Sequence, residues 1–258
     1  MRLLLPLILL ASGWLLGATA SAAEPATESV AALLQRGDEA SKRWKSADAL
    51  EAFLAAEKQE PRNPDILRRI ALEYALQMAD VNTSAEKRVL GEKALGFAKR
   101  AVEIAPRDAK VQTVMAVCCG RLAKHLPNRE KIETSRLVKQ HAELALQLNP
   151  RSDIAHYVLG VWNYEIANLS TVLKAIAGMV YGSLPPASNE EAEKHFRKAR
   201  ELDPGRVGTV LELGRTVATN PARKEEARGL FEEALKMKTR DRDDPEMKRR
   251  ARAALDAL

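Results

Sequence analysis

AEKHFRKARELDP, residues 192–204, sets an alanine, a phenylalanine and a second alanine at i, i+4 and i+7, with a proline eight residues after the phenylalanine. That spacing puts the three side chains on one face of a helix. Alanines there let a neighbouring helix approach closely, and proline, which lacks a backbone donor, ends the helix. The unit recurs at Ala49, Phe53 and Ala56; at Ala94, Ala98 and Ala101; at Val138, Ala142 and Ala145; and at Ala227, Phe231 and Ala234. Pro61, Pro106 and Pro150 stand where Pro204 stands. Nine residues after each proline comes a pair whose second member is small: Ile70 and Ala71, Met115 and Ala116, Leu159 and Gly160, Leu213 and Gly214. Gly37 holds that place ahead of the first copy. The chain is a tandem array of helix pairs.

The array resembles the tetratricopeptide repeat, in which two antiparallel helices of about 34 residues stack into a right-handed superhelix with a concave binding face. The resemblance implies an all-α solenoid of about five helix pairs. Successive prolines lie 45, 44 and 54 residues apart, so the middle repeats carry extra sequence, either as longer helices or as longer turns. Long structureless loops are unusual in a compact solenoid, and the added sequence is apolar enough for helix. Aromatic residues make up only 4% of the chain and charged ones 29%, a composition that favours helix pairs over sheet.

At the amino terminus Arg2 precedes an apolar run from Leu3 to Leu16 and the small residues Ala18 to Ala23. That order of charged, apolar and small residues reads as a signal peptide over residues 1–22, leaving 23–258 as one repeat domain. An uncleaved membrane anchor is the alternative, but the run is short for a bilayer span and Pro6, Gly13 and Gly17 interrupt it. Export places the chain in a periplasm or outside the cell. Cys118 and Cys119 are helical neighbours about 100° apart, poorly placed to bridge each other, and read as small core residues. The formal net charge is +6, with basic residues clustered at Lys248, Arg249, Arg250 and Arg252. No aromatic residue interleaves with that cluster to stack on bases, so it reads as a solvated helix face and not as a nucleic-acid site.

The segment NLSTVLKAIAGMVYGSLPP, residues 168–186, places Leu169, Val172, Leu173, Ile176 and Val180 on one helical stripe with Lys174 as its single charge. Asn168 or Ser170 caps its start, and Gly182 with Pro185 and Pro186 stops it. The helix is expected either to fill core or to wall an apolar groove with Trp162, Tyr164, Leu173, Ile176, Met179 and Val180. Contact with a membrane surface is a third possibility for the same stripe.

The stretch from His156 to Pro204 is similar to the signature region of the regulator of microtubule dynamics family. The residues that carry the likeness are Leu159, Gly160, Trp162, Tyr164, Gly182, Pro185 and Pro186. This resemblance extends from about Ser29 to the end of the chain. It implies a tetratricopeptide domain acting at membranes and organelle contacts, in one branch through a groove that binds phospholipid, and it does not imply catalysis. A secretory leader in place of the family's anchoring start implies that tubulin is not a partner.

No phosphate-binding loop, nucleophile elbow or paired-carboxylate motif is present, so no enzymatic activity and no cofactor are expected. His141 and His156 flank one helix junction without a cysteine or carboxylate at metal-ligand spacing, which favours hydrogen-bonded histidines over a metal site. Two functions fit: a scaffold that holds a protein or peptide through Arg68, Arg69, Gln112 and Asn163 on the first helices, or a carrier of phospholipid or another apolar ligand in the concave groove against Trp162, Tyr164 and the added helix. The leader generates a direct test. Sequencing the mature amino terminus is expected to give Ala23 or Glu24; a cytoplasmic protein still beginning at Met1 would remove the export reading.

Overall fold

Each repeat proline stands two residues beyond the end of one helix and two residues before the helix-entry residue of the next. Helix α2 (Ser46–Gln59) leads through Pro61 to Asn63 and α3 (Pro64–Gln77). Helix α4 (Ser84–Ile104) leads through Pro106 to Asp108 and α5 (Ala109–Ala123). Helix α6 (Asn128–Leu148) leads through Pro150 to Ser152 and α7 (Asp153–Ala167). Asn63, Asp108 and Ser152 each accept a backbone N–H of the helix they begin, satisfying donors that would otherwise be orphaned.

The computed structural model describes residues 28–181 and 186–258, so the expected leader and residues 182–185, including Gly182 and Pro185, lie outside the described residues. The described residues form twelve α-helices and no strand. Helices α1 (Val30–Lys42) and α2, α3 and α4, α5 and α6, α7 and α9 (Asn189–Leu202), and α10 (Val207–Val217) and α11 (Lys224–Lys236) make five antiparallel pairs, and α12 (Asp244–Asp256) closes the array. The extra length of the second and third repeats is helix: α4 and α6 each run 21 residues against 14 for α2. In the fourth repeat the addition is a separate helix, α8 (Thr171–Tyr181), laid against α6. Ser170 begins it, accepting the backbone N–H of Leu173, whereas Asn168 closes α7.

The two helices of each pair are matched in volume. The Phe53 ring lies against Gly37, Phe196 against Gly160 and Phe231 against Gly214, all buried. A Cβ added at Gly160 would sit 2.6 Å from the Phe196 ring, and one at Gly214 would sit 2.7 Å from Phe231. Where the second helix carries alanine, as at Ala98 and Ala142, the first helix carries alanine too, at Ala71 and Ala116, and all four are buried in one cluster. The first helices also pack directly on one another, α3 on α5, α5 on α7, α7 on α10 and α10 on α12. Second helices of successive repeats meet far less among the described residues. The array therefore curves with the first helices on its inner face.

This volume matching predicts a coupled response. Gly160→Ala gains about 1 kcal/mol of helix propensity but forces the Phe196 ring to move, at a typical overpacking cost of about 1–3 kcal/mol. Phe196→Ala alone opens a cavity costing about 3–5 kcal/mol. The double variant recreates the alanine pair of the middle repeats. In denaturant titrations it is expected to lose less stability than the two single changes added together, by about 0.5 kcal/mol or more. Strict additivity would show that the two side chains do not set each other's space.

Candidate partner-binding groove

Glu73 stands in a run of apolar residues, Ile70, Ala71, Leu72, Tyr74 and Ala75, and lies among the end of α1, the start of α2 and the link before α12. Its carboxylate is only 2% exposed. It accepts the hydroxyls of Ser41 at 2.6 Å and Ser46 at 2.7 Å. Arg242, from the link between α11 and α12, reaches this carboxylate across the whole array. Its guanidinium donates to Ser46 Oγ and, at 3.1 Å, to Asp80, and lies 3.8 Å from Glu73. Beside it Asp243 pairs with Arg121 of α5. Further along, Arg206 pairs with Asp153 at 2.8 Å and with Asp241 at 3.4 Å, and Arg240 with Asp203 at 3.0 Å. Glu212 of α10, nearly buried, takes Arg215 at 2.6 Å and Arg250 at 2.8 Å. The inner face is thus a wall of alternating charges running through α3, α5 and α10.

Arg69 lies one turn from Glu73 on this wall, paired with Asp38 and, at 2.9 Å, with Asp65, while its guanidinium rests 5.9 Å from the Phe53 ring. Arg68 pairs with Asp65 of its own helix. Gln112 and Asn163 are corrected by their burial. Gln112 is 1% exposed and turns to its own repeat partner, donating to Pro106 O at 2.7 Å and meeting His141 Nδ1 at 2.6 Å. Asn163 is buried and donates to Leu159 O at 2.9 Å. Gln112 thus spends both amide atoms inside the helix stack, and Asn163 spends its Nδ2 there.

The apolar set does not gather into one wall. Trp162 is buried, donates to Ser135 O of α6 at 2.9 Å, and lies under Lys139. Tyr164 faces the other way, 4.6 Å below the Arg215 guanidinium. On α8 the half-buried Leu173 and Ile176 flank the fully buried Ala177, whereas Val172 and Met179 are 68% and 80% exposed. The side chain of Val180 lies outside the described residues. A shallow depression of about 400 Å³ is lined by Gln77, Val81, Ala85, Glu86, Val89 and Leu90, between α3 and α4 and away from α8.

The basic cluster is divided: Arg250 turns inward to Glu212, Lys248 donates to Met237 O, Arg249 pairs with Glu246, and Arg252 is exposed. Cys118 and Cys119 are fully buried, and burial pushes the Cys119 thiol up to about 12, so both are inert packing groups. His141 and His156 are in separate contacts. His156 meets His195 of α9, Nδ1 to Nδ1, at 3.0 Å.

These features define a tetratricopeptide-type helical-repeat solenoid. Among solved structures the chain is similar to a thermophilic tetratricopeptide-repeat protein of Thermus thermophilus, at a TM-score of 0.61 and 19% identity, covering 88% of this chain and 99% of that one. It is also similar to pilF of Pseudomonas aeruginosa, at 0.51 and 14% identity, covering 88% and 84%. The family described as regulator of microtubule dynamics protein 1-3 matches residues 30–258, and the chain belongs to that family. Regulator of microtubule dynamics protein 3 of Xenopus laevis is 28% identical over 73% of this chain and 41% of its own length. Regulator of microtubule dynamics protein 1 of Mus musculus is 28% identical over 63% and 54%. The chain thus spans about half the length of these curated relatives.

The histidine pair sets a pH dependence. Burial, and then the neighbouring His156, lower the His195 pKa from 6.5 to about 4, with Glu191 and Lys194 acting in opposite directions. An unfolded His195 takes a proton that the folded one refuses. Its contribution to stability is therefore complete above pH 6.5 and is lost as the pH falls toward 4. The melting temperature is expected to drop through that window, and His195→Gln to flatten the drop. Parallel curves for the two proteins would show that the pair is not the titrating element.

Proposed function

We propose that this protein is a non-enzymatic, exported scaffold that binds a partner protein or peptide along its inner face. The observation that carries this reading is the charge wall formed by Arg69, Glu73, Asp80, Arg121, Arg206 and Glu212 on successive first helices and the turns that border them. Helical-repeat arrays present such curved surfaces to extended ligands, and alternating charge gives register and selectivity. The names of the relatives carry regulation of microtubule dynamics. With a secretory leader this chain would meet no microtubule, so the scaffold is the part of that function that carries over.

A second reading, phospholipid binding, draws on Val172 and Met179. They stand seven residues apart on one face of α8 and are exposed to solvent, a small apolar surface suited to acyl chains.

Two experiments separate the readings. A photo-crosslinking residue at Arg69, one turn from Glu73, is expected to yield a discrete adduct in the native compartment, and one at Glu103, on the outer helix α4, none. An adduct only from Glu103 would place the partner on the other face. For lipid, the double change Val172→Asp, Met179→Asp is expected to abolish retention of a fluorescent phospholipid through gel filtration. Surface changes of this kind usually alter stability by no more than about 0.5 kcal/mol, so the melting temperature is expected to hold. A wild-type protein that retains no phospholipid would end that reading.

A further inference from the structure

The link MKTRDRD, residues 237–243, joins α11 to α12 and carries no apolar side chain beyond Met237. A connection of that composition is ordinarily solvated. Here it lies along the inner wall from α10 back to α3, held by Arg240 on Asp203, Asp241 on Arg206, Arg242 on Asp80 and Asp243 on Arg121. The Arg242 side chain is 8% exposed although it stands 196 residues from Ser46, whose hydroxyl it meets.

The receiving site is built for a guanidinium. Glu73 forms its floor, with two serine hydroxyls already spent on that carboxylate and Asp80 at the rim. Burying Glu73 without a cation opposite would leave an uncompensated charge. A guanidinium presents several donors in a fixed fork, which suits a cradle of two carboxylates and a hydroxyl better than a single ammonium would. The next residue of the link then finds Arg121, so the wall reads an arginine followed by an aspartate. Backbone N–H groups of Arg240 and Asp241 also donate to the buried Asp244 carboxylate and Met237 packs on the α10–α11 core, so the base of the link is fixed. Its outward contacts, Arg242 on Asp80 and Asp243 on Arg121, are ion pairs of the kind that salt weakens and a second arginine and aspartate can replace.

We propose that the inner face is a peptide-recognition groove whose built-in occupant is the 238–243 link. The partner is a protein segment bearing arginine followed by aspartate. It displaces the link, seats its arginine on Glu73, Ser46 and Asp80, and pairs its aspartate with Arg121. This rests on the scaffold reading above and adds the chemistry of the partner.

The test uses the full mature chain and a fluorescein-labelled KTRDRDD peptide followed by fluorescence anisotropy. A tethered occupant acts at an effective concentration on the order of millimolar, so wild-type protein is expected to bind the free peptide weakly. Arg242→Ala with Asp243→Ala vacates the end of the groove between Glu73 and Arg121, leaving Arg240 and Asp241 in place, and is expected to tighten binding by about tenfold or more. Adding Glu73→Gln is expected to reverse that gain, and replacing the peptide arginines with lysine to weaken binding about tenfold. A double variant that keeps the wild-type helical signal but binds no better overturns the proposal. So does a double variant that fails to fold, because a segment the fold cannot lose is a strut and not an exchangeable ligand. An adduct at Arg69 without peptide binding would refute the arginine–aspartate chemistry and leave the scaffold standing. Peptide binding without any adduct would do the reverse.

Discussion

The contact on which the array depends is an aromatic ring seated on a residue with no side chain. Phe53 on Gly37, Phe196 on Gly160 and Phe231 on Gly214 fix how closely the two helices of a repeat approach. Ala98 with Ala71 and Ala142 with Ala116 reach a comparable fit with the volume divided between both helices. Interaxial distance follows the side chains at the contact, and close-packed interiors transmit a misfit to their neighbours. A repeat whose two members disagreed in volume would open its own pair and tilt the next, and the curvature of the inner face would change with it.

The first helices bury two kinds of polar residue. Glu73, Gln112, Thr113, Asn163, Thr209, Glu212 and Thr216 are all buried polar residues on α3, α5, α7 and α10. Some satisfy backbone groups within the stack, as Thr113 does with Ala109 O and Thr216 with Glu212 O. The two glutamates instead hold arginines that arrive from the carboxyl-terminal part of the chain. A side chain on the inner wall thus has two neighbours to answer to: its own repeat and whatever lies in the concavity.

The repeat phase was legible because it is local. Helix, proline, entry residue and small residue recur at fixed offsets, and each offset has a steric or hydrogen-bonding cause within about twenty residues. The burial of Gln112 was also within reach, since it precedes Ala116 by four and so shares the stripe that meets the partner helix; Asn163 follows Gly160 by three in the same way. Their polarity drew attention to a groove that their phase excludes. The arginine cradle was not legible. Its members come from α1, α2, α3 and a link near the other end of the chain, and a run such as 238–244 reads as solvated by composition alone. The one local clue was Glu73, a carboxylate within an otherwise apolar turn. On α8 the stripe predicted a helix but not its neighbour: lying on α6, it leaves Val172 and Met179 outside.

A linear stack of repeats is quasi-one-dimensional: each unit contacts only those beside it, and its ends fray independently. The reach of Arg242 to Ser46 breaks that rule by tying the first repeat to the last connection in the chain. Topologically the array becomes a loop with a clasp. The clasp encloses the helices from α2 to α11 and leaves α1 and α12 outside it, and because 196 residues separate its halves, its closure waits on the repeats between them. Displacement of Arg242 would therefore be felt at the second helix of the first repeat and at the last connection at once.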